Sequence, residues 1–319
     1  MHISVVITCH NEEAYIEQCV NSVVTQSDYQ DIKEIFVVDD GSTDNSPKLL
    51  AQLKLNCNKL KVITTKGLGL PAARNIAIKS ASSEFIAFLD ADDFWTKNKL
   101  LNQFQIIKKD LSIGLVYGDY WDFKKPDASD AIYVPTRSLN KFYPNQLVEY
   151  YVKDAPIVPS TTICRKKIFE TSGLFNESIR TNDDTEMYLR VMEKWKVLHI
   201  SGAECYKRKK VNQITHRLEK LLDDQNKISE ITILRNPQLK KFSNTRKSYR
   251  ILKAGIDCFT VHREKKSALI HAINSLKLNL FNLRAWGLII MILMPYKLTM
   301  ILYNFTKNIF YKFIRKKIK

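Results

Sequence analysis

The chain's 319 residues, 45% apolar and 26% charged, are ordinary for a globular protein and suffice for a full α/β domain plus a smaller appendage. The net charge of +17 is uneven: residues 206–319 hold 26 Lys+Arg against 6 Asp+Glu, a balance of +20, and residues 1–205 hold the other 24 and 27, a balance of −3. Only the last third therefore calls for an anionic partner, a membrane surface or a nucleic acid.

Cys9, Cys19, Cys57, Cys164, Cys205 and Cys258 are scattered, with no CxxC or zinc-like spacing. They read as reduced, mostly buried thiols in a cytosolic compartment. The apolar run Ile3 to Ile7 is too short for a signal peptide and is followed at once by Asn11-Glu12-Glu13.

Ile3 to Cys9 is rich in β-branched residues and reads as a first strand. Asn11 suits an N-cap, Glu12 and Glu13 suit the positive end of a helix, and Ile16, Cys19, Val20, Val23 and Val24 recur at helical spacing. A second strand, Glu34 to Val38, ends in Asp39-Asp40-Gly41-Ser42-Thr43-Asp44, and Ser46-Pro47 opens the next helix. After a third strand at Lys61 to Thr65, Gly67 and Gly69 loosen the backbone before Pro71 starts a helix through Ile78. Phe85 to Leu89 is apolar throughout, as in a strand buried on both faces. Asp90, Asp92 and Asp93 follow it, ahead of a helix expected from near Thr96. Further on, the pattern predicts a strand at Gly114 to Asp119 and a loop or linker at 124–145. A return to the sheet at Ile157 to Cys164, a helix over 183–195 and a last strand at Lys196 to Ile200 follow.

Strand and helix alternating four times imply a mostly parallel sheet with helices on both faces, and such sheets bind ligands outside the carboxyl ends of their strands. Asp39, the 67–74 loop and Asp90–Asp93 all fall at those ends. Carboxylates as close as Asp90, Asp92 and Asp93 repel one another unless something positive sits among them. A divalent metal carrying a phosphorylated ligand would serve; the alternative is a solvated acidic turn that caps the next helix.

Val37-Val38-Asp39-Asp40-Gly41-Ser42-Thr43-Asp44, Ala72-Ala73-Arg74-Asn75, Leu89-Asp90-Ala91-Asp92-Asp93, Gly173-Leu174-Phe175-Asn176-Glu177 and the run Asn182 to Arg190 resemble, in order and spacing, the family 2 glycosyltransferases. The resemblance covers residues 3 to about 205. It implies a GT-A fold: a Rossmann-like, mostly parallel mixed sheet with a donor half at about 1–120 and an acceptor half at about 121–205. It implies an inverting enzyme that moves a sugar from a nucleotide diphosphate, by preference UDP, to a hydroxyl of a lipid-linked or polysaccharide acceptor in cell-surface glycan synthesis. Thr8, Asp39, Asp40, Arg74, Asp90 and Asp92 would bind the donor, with Asp39 on the uracil ring and Arg74 beside the diphosphate. Asp90 and Asp92 would hold Mn2+ or Mg2+, with Asp92 the more direct ligand, and Asp184 would be the general base. Structural alternatives are an Asx turn for Asp39, a helix-surface ion pair for Arg74 and a helix N-terminus for Asp183 and Asp184. Two departures stand out. Asp183 replaces the family's usual Glu, and Lys209 in Tyr206-Lys207-Arg208-Lys209 replaces a His that can contact metal or diphosphate. The second bears on metal dependence, because an ammonium can offset phosphate charge but cannot ligate a metal.

The basic region at 206–319 is expected to be helical, with an apolar segment at about 280–303 broken by Pro295. Its longest uninterrupted run is too short to span a bilayer. An interfacial anchor on the inner face of the cell membrane fits, helped by Lys307, Lys312, Arg315, Lys316, Lys317 and Lys319 on anionic headgroups. The alternatives are a helical subdomain that docks on protein, or a spanning helix kinked at Pro295. For the whole chain, the competing readings are a degenerate nucleotide-sugar binder without turnover and a nucleic-acid-binding protein. Against the latter, no RNA- or DNA-binding motif accompanies the basic residues.

Overall fold

The structure, a computed structural model, describes residues 1–153, 157–209, 218–260 and 263–294. The N-terminal half alternates as the sequence predicts: β1 (Ile3–Cys9), α1 (Ile16–Val24), β2 (Ile32–Asp39), α2 (Ser46–Asn56), β3 (Leu60–Thr64), α3 (Leu70–Ser80) and β4 (Phe85–Asp90). Then come β5 (Phe94–Trp95), α4 (Lys99–Ile107), β6 (Ile113–Phe123), β7 (Ile132–Val134), α5 (Gln146–Lys153), β8 (Ile163–Arg165), α6 (Lys167–Ser172), α7 (Asp183–Met192) and β9 (Lys196–Arg208). The helices α8 (Leu218–Arg235), α9 (Ser243–Thr260), α10 (Lys265–Leu278) and α11 (Leu283–Leu293) complete the described chain.

Among the described residues the strands form one mixed sheet in the order β3-β2-β1-β4-β8-β6-β9-β5, with β7 on β6. β1 to β4 are parallel, β8 runs antiparallel to β4 and β6, and β6 and β9 are parallel. The register matters for function. Cys9 lies opposite Asp39, and Thr8 opposite Asp90, so the carboxyl ends of β1, β2 and β4 finish level. β1 is buried along its whole length and β4 up to Leu89, as expected of strands covered on both faces. Ile16, Cys19, Val20 and Val23 give α1 its buried stripe in the same core.

Several local expectations change. Asn11 does not cap α1; it takes a left-handed backbone (φ 56°), and its Oδ1 accepts from the Thr43 and Asp44 amides, pinning the 41–45 loop. The helix expected near Thr96 begins at Lys99. The segment read as a linker contains β7, and β6 is longer than expected. The return strand is only Ile163–Arg165, preceded by a short 3-10 turn at Pro159–Thr161. β9 continues to Arg208, through a domain boundary expected at 205.

The irregular half is fixed by buried polar groups rather than by apolar periodicity. Asp119 accepts hydrogen bonds from the Tyr133 hydroxyl, the Thr136 and Gly202 amides and His199 Nε2. Burial alone would raise its pKa, but the hydrogen bonds from His199, Tyr133 and Thr136 outweigh that desolvation and hold the carboxylate below the usual range.

The chain divides into two compact units, Met1–Leu147 with Ala155–Thr232, and Val148–Asp154 with Ile233–Lys319. In the second, α9, α10 and α11 pack Leu252, Phe259, Ala268, Ala272, Leu276, Ala285, Leu288 and Ile292 together. Gly255 permits the close crossing of α9 and α10, since a Cβ there would lie 2.8 Å from His271 Cβ. Ser248, Ser275 and Asn282 share hydrogen bonds inside this bundle, and buried Arg246 donates to the Tyr151 carbonyl. Within the described residues, no helix is long and apolar enough to cross a membrane. Pro295 and the basic tail lie outside the described residues.

Candidate active site

Thr8, Asp40, Asp90 and Asp92 meet in one open cleft of about 340 Å3 at the level ends of β1, β2 and β4, with Cys9, His10, Glu12, Asp93, Lys207 and Arg208 among its other walls. Asp39, Arg74 and Asp184 do not line it. Asp39 is buried and its Oδ1 accepts from the Ser42 amide at 3.1 Å, the turn geometry an Asp favours before glycine. Asp40 binds a loop instead: its carboxylate accepts from Thr65 Oγ1, the Leu68 amide at 2.7 Å and the Gly69 amide at 2.7 Å. These hydrogen bonds outweigh desolvation and hold its pKa below the ordinary value.

Arg74 is neither on the helix surface nor open to the cleft. It is 2% exposed. Its fork donates through Nη2 to Asp90 Oδ1 at 2.9 Å and through Nη1 to Asp183 Oδ2 at 2.8 Å. One guanidinium thereby joins the end of β4 to the start of α7, a planar two-pronged task that suits Arg and not Lys. Thr8 Oγ1 also reaches Asp90 Oδ1, at 3.5 Å.

The three acids after β4 separate into different environments. Asp93 is buried; its Oδ2 accepts from Ser160 Oγ at 2.7 Å and its Oδ1 from the Arg208 amide at 2.9 Å. Burial first, then Asp92 and Asp90, raise its pKa well above normal, so it acts as a clamp between β4, the 159–161 turn and β9. Asp92 and Asp90 remain half-buried at the cleft. Arg208, a residue the sequence reading left without a role, wedges its guanidinium 3.9 Å from the Tyr15 ring centroid and 4.4 Å from that of Phe123. It donates to the Asp92 carbonyl and to Gln18 Oε1. Lys209 turns to Asp122 at 2.6 Å, and among the described residues Lys207 and Arg208 are the Lys and Arg that line the cleft. The basic run was visible in the sequence; which member faces the acids is set by the β6–β9 register.

α7 begins at Asp183 behind Asn182, whose left-handed conformation (φ 57°) an Asn tolerates better than most residues. Burial pushes Asp184 up to about 7, reinforced by Asp183 and opposed by Arg74. Burial also raises Asp183 against the pull of Arg74.

The oxygen-only pair Asp90 and Asp92 fits a hard cation that draws most of its ligands from phosphate and water. No group of three or more His, Cys, Asp or Glu among the described residues forms a protein cage for one.

A family model described as "Glycosyl transferase family 2" matches residues 4–173. The chain belongs to glycosyl transferase family 2. It is therefore a glycosyltransferase. Its relatives include Glycosyltransferase GlyG of Streptococcus pneumoniae, 28% identical over 62% of this chain and 68% of that protein. A poly(ribitol-phosphate) beta-glucosyltransferase of Bacillus spizizenii is 38% identical over 65% of this chain, a match that spans 32% of the relative's length. The crystal structure of S. aureus TarS 1-349 in complex with UDP-GlcNAc superposes with a TM-score of 0.61 at 20% identity, covering 87% of this chain and 81% of that one. That likeness establishes the GT-A fold of this family 2 member.

Proposed function

We propose that this glycosyltransferase is an inverting enzyme that transfers a glycosyl group from a UDP-sugar to a hydroxyl of a lipid-linked or polysaccharide acceptor. The carrying observation is the buried Arg74 fork, which ties Asp90 at the cleft to the segment that bears Asp184. Asp184, with a pKa raised to about 7, suits a base that takes the acceptor's proton near neutral pH. The freed oxygen forms a bond to the anomeric carbon as the bond to the diphosphate oxygen breaks on the opposite face. Lys207 and Arg208 offset charge on the departing group. Asp92, with Asp90, would hold a divalent ion that neutralises the same charge when bound. The UDP and UDP-GlcNAc complexes of TarS support a uridine donor, and the Bacillus relative's name supports a role in cell-wall polymer synthesis.

The test is thermal shift of the full chain with nucleoside diphosphates, with and without Mn2+, followed by assay of UDP-sugar consumption. Stabilisation by UDP, lost in Asp92→Asn, supports the donor site. If the shift needs no metal, Lys207 and Arg208 carry the leaving group alone. No response to any nucleotide sinks the reading.

We also propose peripheral attachment to the cytoplasmic face of the cell membrane. In support, Leu280, Phe281, Leu283, Trp286, Ile290 and Leu293 are exposed on a chain whose last third is strongly basic. All six cysteines are free thiols, which suits a reducing compartment. Co-sedimentation with vesicles containing phosphatidylglycerol, weakened by Phe281→Ser with Trp286→Ser, is the expected result. Equal retention on nucleic acid at matched salt would overturn it.

A further inference from the structure

We propose that the sheet face beside the acid cluster is a stacking platform for the pyranose ring of a neutral acceptor sugar. This rests on the transferase reading above and names the acceptor that reading leaves open.

Phe94 on β5 lies opposite Tyr206 on β9, Tyr206 opposite Trp121 on β6, and Trp121 opposite Tyr133 on β7. Residues directly opposite share a face, so four aromatic side chains form one row across four strands. The Phe94 and Tyr206 ring centroids are 4.5 Å apart with planes 11° from parallel; for Trp121 and Tyr206 the values are 6.2 Å and 19°. These are the dimensions of offset stacking. Tyr133 is buried and meets Trp121 edge to face, whereas Phe94, Tyr206 and Trp121 are each only half-buried. Three large rings left partly open to water at one place are costly to the fold unless something covers them.

They line an open cavity of about 360 Å3 together with Gln18 and Asp127, within the size range of small-ligand sites, roughly 300–1,000 Å3. A pyranose ring has a face of C–H bonds with positive partial charge and a rim of hydroxyls. The C–H face meets the negative face of an aromatic ring, here Trp121, because Tyr206 is already stacked on Phe94, and the rim meets an amide and a carboxylate such as those of Gln18 and Asp127. Among the described residues no Lys or Arg lines this cavity, and the one formal charge they bring to it is negative, so it would repel a polyol phosphate and accept an uncharged sugar.

The cavity borders the acid cleft. Phe94 directly follows Asp93, and Gln18 accepts a hydrogen bond at 2.9 Å from Arg208, whose side chain lines the cleft. A ring seated on Trp121 against the Phe94–Tyr206 stack would stand next to the cations that face the donor's phosphates.

Saturation-transfer NMR on the full chain tests this, with methyl glycosides of glucose, galactose and N-acetylglucosamine as probes and ribitol 5-phosphate as the charged, acyclic control. At least one glycoside is expected to receive saturation on its ring protons while ribitol 5-phosphate does not. Trp121→Ala and Tyr206→Ala should each weaken binding about three- to tenfold, and Trp121→Phe, which keeps a ring, should restore most of it. The UDP thermal shift, read on the same samples, reports the donor cleft separately. If UDP stabilises the protein but no glycoside binds, if binding survives Trp121→Ala, or if ribitol 5-phosphate binds equally, the platform is overturned. If glycosides bind in this manner and no nucleotide does, the platform stands and the transferase reading falls.

Discussion

The chain has two acidic stations, Asp90–Asp93 after β4 and Asp183–Asp184 at the head of α7, and they handle negative charge in opposite ways. The first spreads its acids out: Asp90 pairs with Arg74 and Thr8, Asp92 is half-buried at the cleft, and Asp93, its pKa raised by burial, sits behind them on a hydroxyl and an amide. The second concentrates it: of two adjacent, largely desolvated carboxylates Asp183 pairs with the Arg74 guanidinium, and its neighbour Asp184 is pushed up to about 7. The lesson is that one residue type yields a clamp, a cation ligand or a proton acceptor according to what else is buried beside it.

The sharpest way to break this contrast is Arg74→Met. It leaves Asp90 and Asp183 facing each other without the cation, and should cost roughly 3–5 kcal/mol in denaturant unfolding along with all transferase activity. Arg74→Lys, which cannot fork, should recover little of either.

Asp184→Asn comes next. Activity should fall by about 10²–10⁴-fold, the span of a positioned general base, while the fold becomes more stable. The folded pKa lies above the unfolded one, so ionising Asp184 opposes folding. That cost is absent below about pH 4, grows as pH rises and is complete above about pH 7. The melting temperature gain of the variant should therefore be largest above pH 7, by the equivalent of about 1–3 kcal/mol. In the parent enzyme, activity at limiting substrate should rise with pH through about 7 as the base ionises. A flat profile between pH 5.5 and 8 would contradict the assignment.

Ser160→Ala tests the distributed station. Ser160 Oγ donates to Asp93 and accepts from the Asp90 amide, so its loss should cost about 1–3 kcal/mol by leaving a buried acceptor unmatched. Lys209→Ala should do least, within about 1 kcal/mol, because its pairing with Asp122 is half-exposed. A loss of activity as large as that of Asp92→Asn would restore Lys209 to the site.

Much of this contrast could be read from the sequence. β4 is a continuous apolar run up to Leu89, and β1 and β2 carry shorter ones at Val5–Ile7 and Ile35–Val38, the mark that parallel strands covered on both faces leave whatever surrounds them. The acids at their ends followed by position alone. Asn11 was misread because a side chain that bonds locally can serve either its own helix or a loop thirty residues away, and only the β1–β2 pairing brings that loop near. β9 was cut at 200 because Glu204, Lys207 and Arg208 do not look like strand interior. Two of them have partners that are distant in sequence: Glu204 accepts from Asn102, and Arg208 donates to the Asp92 carbonyl and Gln18. Arg74 was legible as a cation near the site, but its second partner, Asp183, lies 109 residues away.

The interleaving of the two compact units sets limits on where the chain can be shortened. The sequence invites a stop codon at 205, yet that cut would amputate the last turns of β9 and remove Arg208. It would also remove Asp224 of α8, which accepts hydrogen bonds from the Arg180 and Thr181 amides just ahead of Asp183 and Asp184. Stopping after Thr232 instead would strand Tyr151, whose carbonyl and ring are both engaged by Arg246. A chain stopped at either point should therefore express as an aggregate, because each cut divides a unit from residues its own packing uses.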